Sequence, residues 1–417
     1  MSAVDTNVVL SRDNITIGEG GNWLAPLLTG LGAVFIVLTF VAALMSGKEA
    51  ATIALHCYHV GFLASLGMSL GALGFVMIFH QTNAGWVASV RRQFENVMSL
   101  VWVGGLLFLG MVLLQVVLWF GDKGVYLFPW MNAAYVEGDV LYNHKKLYLN
   151  QPFFWIRAAI YFLVWLILSL TLFNLSRRQD EDGDRWHTAK ARKISSVGLL
   201  LFAFTTAFAS FDWMMSIDHH WFSTMFGVYF FAGNAVACMA IVTLVLIVLR
   251  FLGRLHGAFT TEHLHDMSKL LFAFTVFWAY ISFSQYFLIW YANIPEETMW
   301  FIARKNDPSW GVLAWVLPIC HFIVPFLWLL PRPGRRSFFH VAVACVWLLV
   351  LHLVDLYFVV RPQAGDFNPS LAWVDVLGVL GPVLVFVGVL ARQIARGPLV
   401  AVKDPRLGEA LEHKNYV

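Results

Sequence analysis

The sequence predicts an all-α integral membrane protein with about ten transmembrane helices and almost no soluble domain. Of its 417 residues, 59% are hydrophobic and only 13% are charged, whereas a soluble domain carries about 25% charged residues. Nearly every segment is an apolar run of the length that crosses a bilayer as a helix, about 20 residues. The net charge of only +3 gives no indication of a nucleic-acid partner.

Ten apolar runs determine the predicted organisation of the chain. They belong to one membrane domain at 23–396, which follows an N-terminal segment at 1–22 and precedes a C-terminal tail at 397–417. We place the helices at 23–45, 56–79, 97–120, 153–175, 194–216, 222–250, 268–292, 309–330, 338–360 and 372–395.

Basic residues are distributed unequally between the two sides of these helices. If both termini lie on one side, only eight of the 28 basic residues lie on the other: Lys48, Lys123, Lys145, Lys146, Arg157, Arg304, Lys305 and Arg361. Because basic residues concentrate in cytoplasmic loops, the sequence predicts that both termini are cytoplasmic. The aromatic-rich loop at 121–152 then lies outside, either as a docking surface for a partner or as an interfacial aromatic belt.

Small residues and prolines predict how individual helices pack. A stripe of small side chains on a membrane helix lets a neighbouring backbone approach closely, and the second helix has one at Gly61, Ser65, Gly67, Ser69, Gly71 and Gly74. Pro318 and Pro325 in the eighth helix, and Pro382 in the tenth, should interrupt helical hydrogen bonding and free carbonyl groups that lipid cannot satisfy.

Ionisable residues inside a bilayer are costly and are therefore functional candidates. Most of those predicted here lie toward the outer side, whereas Lys269 and His80 lie at the inner edge. His352 and Asp355 are three residues apart and share a helix face, where they could transfer protons, tie the structure together or hold a cofactor. The candidates for a proton route are Asp212, Tyr280, Gln285, His321, His352, Asp355, Lys269 and His80.

The sequence contains no pattern that indicates a bound metal or redox centre. Its four cysteines all lie in apolar runs, and no CxxC pair occurs among them, which argues against c-type haem and cysteine-ligated clusters. A b-type haem would need two histidines at equal depth on facing helices, and His59, His321 and His352 could be arranged that way. No helix, however, carries the spaced pair of histidines of a two-haem cytochrome b. His219 and His220 follow Asp218 in a turn at the membrane surface, where they are either solvated residues of an interfacial turn or have a role that the sequence does not define. We therefore predict that this chain binds no metal.

Two runs of the sequence resemble a known family. Residues 211–227, FDWMMSIDHHWFSTMFG, and 278–297, WAYISFSQYFLIWYANIPEE, are similar to one of the two ten-helix membrane subunits of bacterial alternative complex III, a quinol:electron-acceptor oxidoreductase. The similarity extends over nearly the whole chain. The resemblance implies a fold like that of polysulfide-reductase membrane subunits, with two four-helix bundles and two peripheral helices. It also implies a bacterial inner-membrane location.

The resemblance further implies the partners and cofactors of the assembly. The partners are the other, related ten-helix membrane subunit, an iron–sulfur subunit, c-type cytochrome subunits and, in some assemblies, a terminal oxidase. Haem c and iron–sulfur clusters then belong to the partners, and the better-supported quinol site belongs to the related membrane subunit. What remains for this chain is contact with menaquinol or ubiquinol, proton conduction or scaffolding. His56, His59 and Arg157 are the candidates for quinone contact.

Two other classes of function are consistent with the residues. A secondary transporter would place its polar groups at the membrane midplane, whereas here they lie toward the outer side. A purely structural anchor would tolerate replacement of those polar groups.

Overall fold

A computed structural model describes residues 6–18, 23–121 and 124–415. These residues form helices and no strand, and ten of the helices are long and apolar enough to span a membrane, as the sequence predicts. We label the ten α1 (Leu24–Met45), α2 (Lys48–Gln81), α3 (Arg91–Phe120), α4 (Gln151–Asp182), α5 (Trp186–Trp213), α6 (Phe226–Phe251), α7 (Thr261–Ala292), α8 (Pro308–Leu329), α9 (Phe338–Val360) and α10 (Ala372–Ala395).

Several helices are longer than the apolar runs that predict them. Helix α2 begins at Lys48 rather than at 56, and α4 continues to Asp182 rather than ending at 175. Polar residues extend a helix beyond the lipid because water and capping groups satisfy its ends there. The side chain of Asn150, for example, accepts a hydrogen bond from the Phe153 N–H at the start of α4.

The helices form two four-helix bundles, as the family resemblance predicts. Helices α2 to α5 pack in a ring, and α6 to α9 pack in a second ring. The first bundle meets the second chiefly through α2 and α6, while α1 and α10 pack together on the outside of α2. Helix α2 is consequently surrounded by protein along nearly its whole length.

Glycines permit this close packing around α2. A Cβ atom added at Gly71 would lie 2.5 Å from the Asn234 carbonyl oxygen and 2.7 Å from Cys238 Cβ on α6. A Cβ atom at Gly61 would lie 2.4 Å from the Val379 carbonyl oxygen on α10. The small residues of α2 therefore face two different neighbours, which confirms the role that the sequence predicts for them.

Helix α8 contains a π-helical segment at Leu317–Ile323, which includes Pro318. Proline has no N–H group and so disrupts the regular hydrogen-bond ladder. The indole Nε1 of Trp347 on α9 donates to the Cys320 carbonyl oxygen at 2.7 Å. Helix α9 thereby provides a hydrogen-bond donor for a carbonyl group of the π-helical segment. The interruption of regular helical hydrogen bonding that the sequence predicts at Pro318 is confirmed.

Both terminal segments pack at the same end of the bundles, which we call the terminal end. The Leu399 N–H donates to the Ile15 carbonyl oxygen at 2.7 Å, and the Leu255 N–H donates to the Asn14 carbonyl oxygen at 3.0 Å. The loops at 124–150 and 293–307 lie at the opposite end, which we call the far end.

Two glycines of α1 provide a matched test of this packing. A Cβ atom at Gly32 would lie 2.6 Å from the Val385 backbone nitrogen, whereas no atom of the described residues lies within 4 Å of one at Gly30. We predict that Gly32→Ala destabilises the chain by about 1–3 kcal/mol because α10 must move. Gly30→Ala should not destabilise it. Thermal unfolding in detergent measures both variants, and equal melting temperatures would contradict the packing.

Candidate functional site

The second bundle encloses an ionisable cluster that we call the Asp355 cluster, formed by Tyr229, Trp278, His321, His352 and Asp355. Asp355 is 2% exposed. Its Oδ1 accepts a hydrogen bond from the Tyr229 hydroxyl, and its Oδ2 accepts one from Trp278 Nε1 at 3.0 Å. Three helices, α6, α7 and α9, thus converge on one carboxyl group.

The two histidines of the Asp355 cluster are buried, and their rings form no hydrogen bond with the described part of the chain. Neither ring nitrogen of His321 or His352 has a partner among the described residues. The His321 ring lies against Trp278, with 3.9 Å between the ring centroids. Because buried polar atoms are nearly always hydrogen-bonded, these four nitrogens are candidates for binding water or a proton.

Local backbone features position these side chains. Tyr229 and Gly233 are four residues apart on α6 and share a face, and a Cβ atom at Gly233 would lie 3.3 Å from His352 Cε1. Glycine therefore leaves the room that the His352 ring occupies. His321 lies in the π-helical segment of α8, and such irregular turns occur frequently at functional sites.

A cleft of about 350 Å³ opens at the far end, close to the second bundle. Arg304 lines it and is buried, and its guanidinium donates to the carbonyl oxygens of Phe358 at 3.2 Å and Val359 at 2.9 Å. In the described part of the chain no carboxylate lies within ion-pair distance of Arg304. Burial lowers the pKa of Arg304 to about 9. The cleft is otherwise rich in carboxylates: Asp218, Glu296, Asp307 and Asp366.

The first bundle contains an ion pair between two residues for which the sequence predicted different roles. Arg157 donates to Asp212 through Nε at 2.8 Å and Nη2 at 2.7 Å, and to the Tyr148 carbonyl oxygen through Nη1 at 2.9 Å. The Tyr161 hydroxyl also donates to Asp212, at 2.7 Å. Arg157, the candidate for quinone contact, and Asp212, the candidate for proton transfer, therefore satisfy each other.

The other two candidates for quinone contact lie on α2 and are buried. His59 donates to the Trp213 carbonyl oxygen at 2.6 Å, and His56 donates to the Thr52 carbonyl oxygen at 2.8 Å. The Nδ1 atom of His59 has no partner in the described ranges.

The remaining candidates for the proton route are spread over the molecule. On α7, Gln285 is buried and accepts a hydrogen bond from Ser223 at 3.0 Å, whereas Tyr280 is 63% exposed on the opposite face. At the terminal end, Lys269 pairs with Asp266 at 3.0 Å, and His80 is buried beside Arg91. The structure therefore brings only His321, His352 and Asp355 together.

A cluster of Asp139, His219 and His220 joins the loop at 124–150 to the turn after α5. Asp139 accepts hydrogen bonds from His219 at 2.8 Å and from His220 at 2.7 Å. The first of these bonds is the main cause that holds the pKa of Asp139 below its ordinary value, and burial lowers the pKa of His219. His219 is only 3% exposed, so the expectation of a solvated turn describes His220 and not His219.

Several buried charges were not predicted from the sequence. Asp375, in the first turn of α10, pairs with Arg361 at 2.6 Å and accepts a hydrogen bond from Cys57 at 3.0 Å. Near the terminal end, buried ion pairs link Arg91 to Glu95 and to Asp404 of the tail. The pairing of Arg91 with Glu95 could have been predicted from the sequence, since the two residues are one helical turn apart.

Comparisons with known proteins do not identify a family for this chain, so a functional conclusion rests on the fold and on these clusters. No family model matches the chain, and a search of curated proteins finds no significant match.

The ion pair of the first bundle yields a stability prediction. Asp212→Asn should cost about 3–5 kcal/mol, because it leaves the Arg157 guanidinium buried without its counter-charge. The double variant Arg157→Leu/Asp212→Leu should recover most of this loss, since no unpaired charge remains. Chemical unfolding in detergent gives both values. A single variant as stable as the wild type would show that the pair does not hold the bundle together.

Proposed function

We propose that this chain is a non-redox membrane subunit of a bacterial quinol-oxidising respiratory complex, and that its second helix bundle conducts protons. The observation that carries the proton-conducting role is the Asp355 cluster. It combines a buried carboxyl group with two buried imidazoles that have no hydrogen-bond partner among the described residues. The complex itself is proposed on the family resemblance of residues 211–227 and 278–297.

Proton conduction accounts for the chemistry of the Asp355 cluster. A charged group within a bilayer costs about 2.5–3.5 kcal/mol even on the lowest scales, so such groups persist where they have a use. A carboxyl group and an imidazole can each accept and release a proton. The unpartnered nitrogens of His321 and His352 provide further stations from the middle of α8 toward Asp355.

The far-end cleft is the proposed exit of the route. Arg304 lines this cleft and donates to the carbonyl oxygens of Phe358 and Val359, which lie about one helical turn beyond Asp355 on α9. The carboxylates of the cleft can accept a released proton and pass it to water.

The first bundle has a structural role in this proposal. All three hydrogen-bonding nitrogens of Arg157 are engaged, so neither it nor Asp212 is available without breaking the pair. His56 and His59, the other two candidates for quinone contact, are buried on α2, which protein surrounds along nearly its whole length, so quinone contact is not part of the proposal for this chain. The basic-residue asymmetry supports cytoplasmic termini, which makes the terminal end cytoplasmic and the far end the side of proton release.

The test replaces Asp355 in the assembled complex, reconstituted in vesicles. We expect Asp355→Asn to slow proton-coupled quinol oxidation by about 100-fold, the size of effect typical of a positioned proton-transfer group. Asp355→Glu should restore part of the rate. Turnover and proton release are measured together, and labelling of a cysteine introduced at the exposed Glu137 reports which side faces outward.

The matched control is the double variant Arg157→Leu/Asp212→Leu, which removes a buried carboxylate from the other bundle. It should keep wild-type proton release per quinol. If assembled Asp355→Asn keeps wild-type turnover and proton stoichiometry, the relay is wrong and the cluster is structural. Proton release on the side opposite to Glu137 would contradict an exit at the far end.

A further inference from the structure

Asp139, His219 and His220 have the arrangement of a metal site. Both imidazole Nε2 atoms point at the same carboxylate oxygen, Asp139 Oδ2, at 2.8 and 2.7 Å. One potential ligand atom from each residue lies within 4.8 Å of the other two. Two nitrogen donors and one oxygen donor therefore converge on one point at the far end of the molecule.

Neighbouring residues fix the orientation of the three side chains. Asp139 is the N-cap of the short helix Val140–Lys145, and its Oδ1 accepts the Tyr142 N–H at 3.0 Å. The His219 ring meets the Tyr142 ring nearly edge-on, with 6.2 Å between centroids, and Lys145 donates to the His219 carbonyl oxygen at 2.6 Å. Such outer contacts orient ligands and typically affect metal affinity about 10–100-fold.

The spacing of the donors suits a small ion with tetrahedral coordination. Ligands held about 2.0–2.1 Å from Zn²⁺ lie about 3.3 Å apart, so the two imidazoles need to withdraw from Asp139 by only about 0.5 Å. Histidine nitrogen and carboxylate oxygen are common zinc ligands, whereas Ca²⁺ and Mg²⁺ prefer sites made of oxygen alone.

We propose that Asp139, His219 and His220 bind a zinc ion at the far end of the protein. His220 is half exposed and also lines the carboxylate-rich cleft, so the remaining coordination position faces solvent. The ion would join the loop at 124–150 to the turn between α5 and α6. This inference does not depend on the proposed proton route.

The zinc site differs from the prediction made from the sequence, which was that the chain binds no metal, and the reason is topological. His219 and His220 are adjacent and by themselves give a pair without a third ligand. Asp139 is 80 residues away from His219 along the chain. Only the fold of the loop brings it to the histidines.

The test measures zinc affinity of the metal-stripped full chain in detergent, by competition with a chromophoric chelator. We expect one zinc ion to bind to the wild type. His220→Ala and Asp139→Asn should each weaken zinc binding by more than about 100-fold, because losing a ligand costs more than losing a residue behind it. Co²⁺ added in place of Zn²⁺ should give the visible absorption of a four-coordinate site in the wild type only.

The matched control is His144→Ala. His144 lies on the same short helix and is exposed, and it is not one of the three converging residues, so its replacement should leave zinc affinity unchanged. Because His220 is half exposed, His220→Ala should remain folded, which helical circular dichroism checks. Zinc affinity equal in His220→Ala and the wild type, or no zinc retained by the wild type against the chelator, would overturn the proposal.

Discussion

The close approach of α2 to both α6 and α10 is the constraint on which the rest of the structure depends. Where Gly61 and Gly71 lie, a side chain of any other residue would collide with backbone atoms of the neighbouring helix. In lipid there is no hydrophobic force to draw helices together, so close packing and hydrogen bonds must do so. The glycines thereby hold the two bundles side by side and keep α2 away from the membrane.

The two bundles differ in whether their buried ionisable groups have an oppositely charged partner. In the first bundle, Arg157 and Asp212 neutralise each other and are fully hydrogen-bonded, so the pair links α4 to α5. In the second bundle, Asp355 receives hydrogen bonds from Tyr229 and Trp278 but has no cationic partner in direct contact within the described residues. A carboxyl group without a fixed counter-charge can change its protonation state at lower cost than a paired one. This difference is the reason why we propose that proton transfer takes place in the second bundle.

Much of the fold could be predicted from the sequence. The ten helices follow from apolar length, and the glycine stripe and Pro318 indicated a close contact and an irregular turn that both exist. Pairings between distant residues could not be predicted, because Arg157 and Asp212 are 55 residues apart and apolar helices carry little information about which faces meet. Tyr280 is 63% exposed in the structure. It lies off the buried stripe that runs through Trp278, Ile281 and Gln285 at helical spacing.

The proposed function requires that this chain works inside a quinol-oxidising complex and carries none of the redox centres itself. The decisive experiment is purification of the tagged full chain from its own membranes in mild detergent, with the co-purifying subunits identified by mass spectrometry and their absorption spectra recorded. We expect c-type cytochrome and iron–sulfur subunits to co-purify with quinol oxidation activity. We also expect the haem absorption to be lost when the chain is separated from its partners. A chain that purifies alone and is homogeneous would contradict the proposed function, as would haem that remains bound to the separated chain.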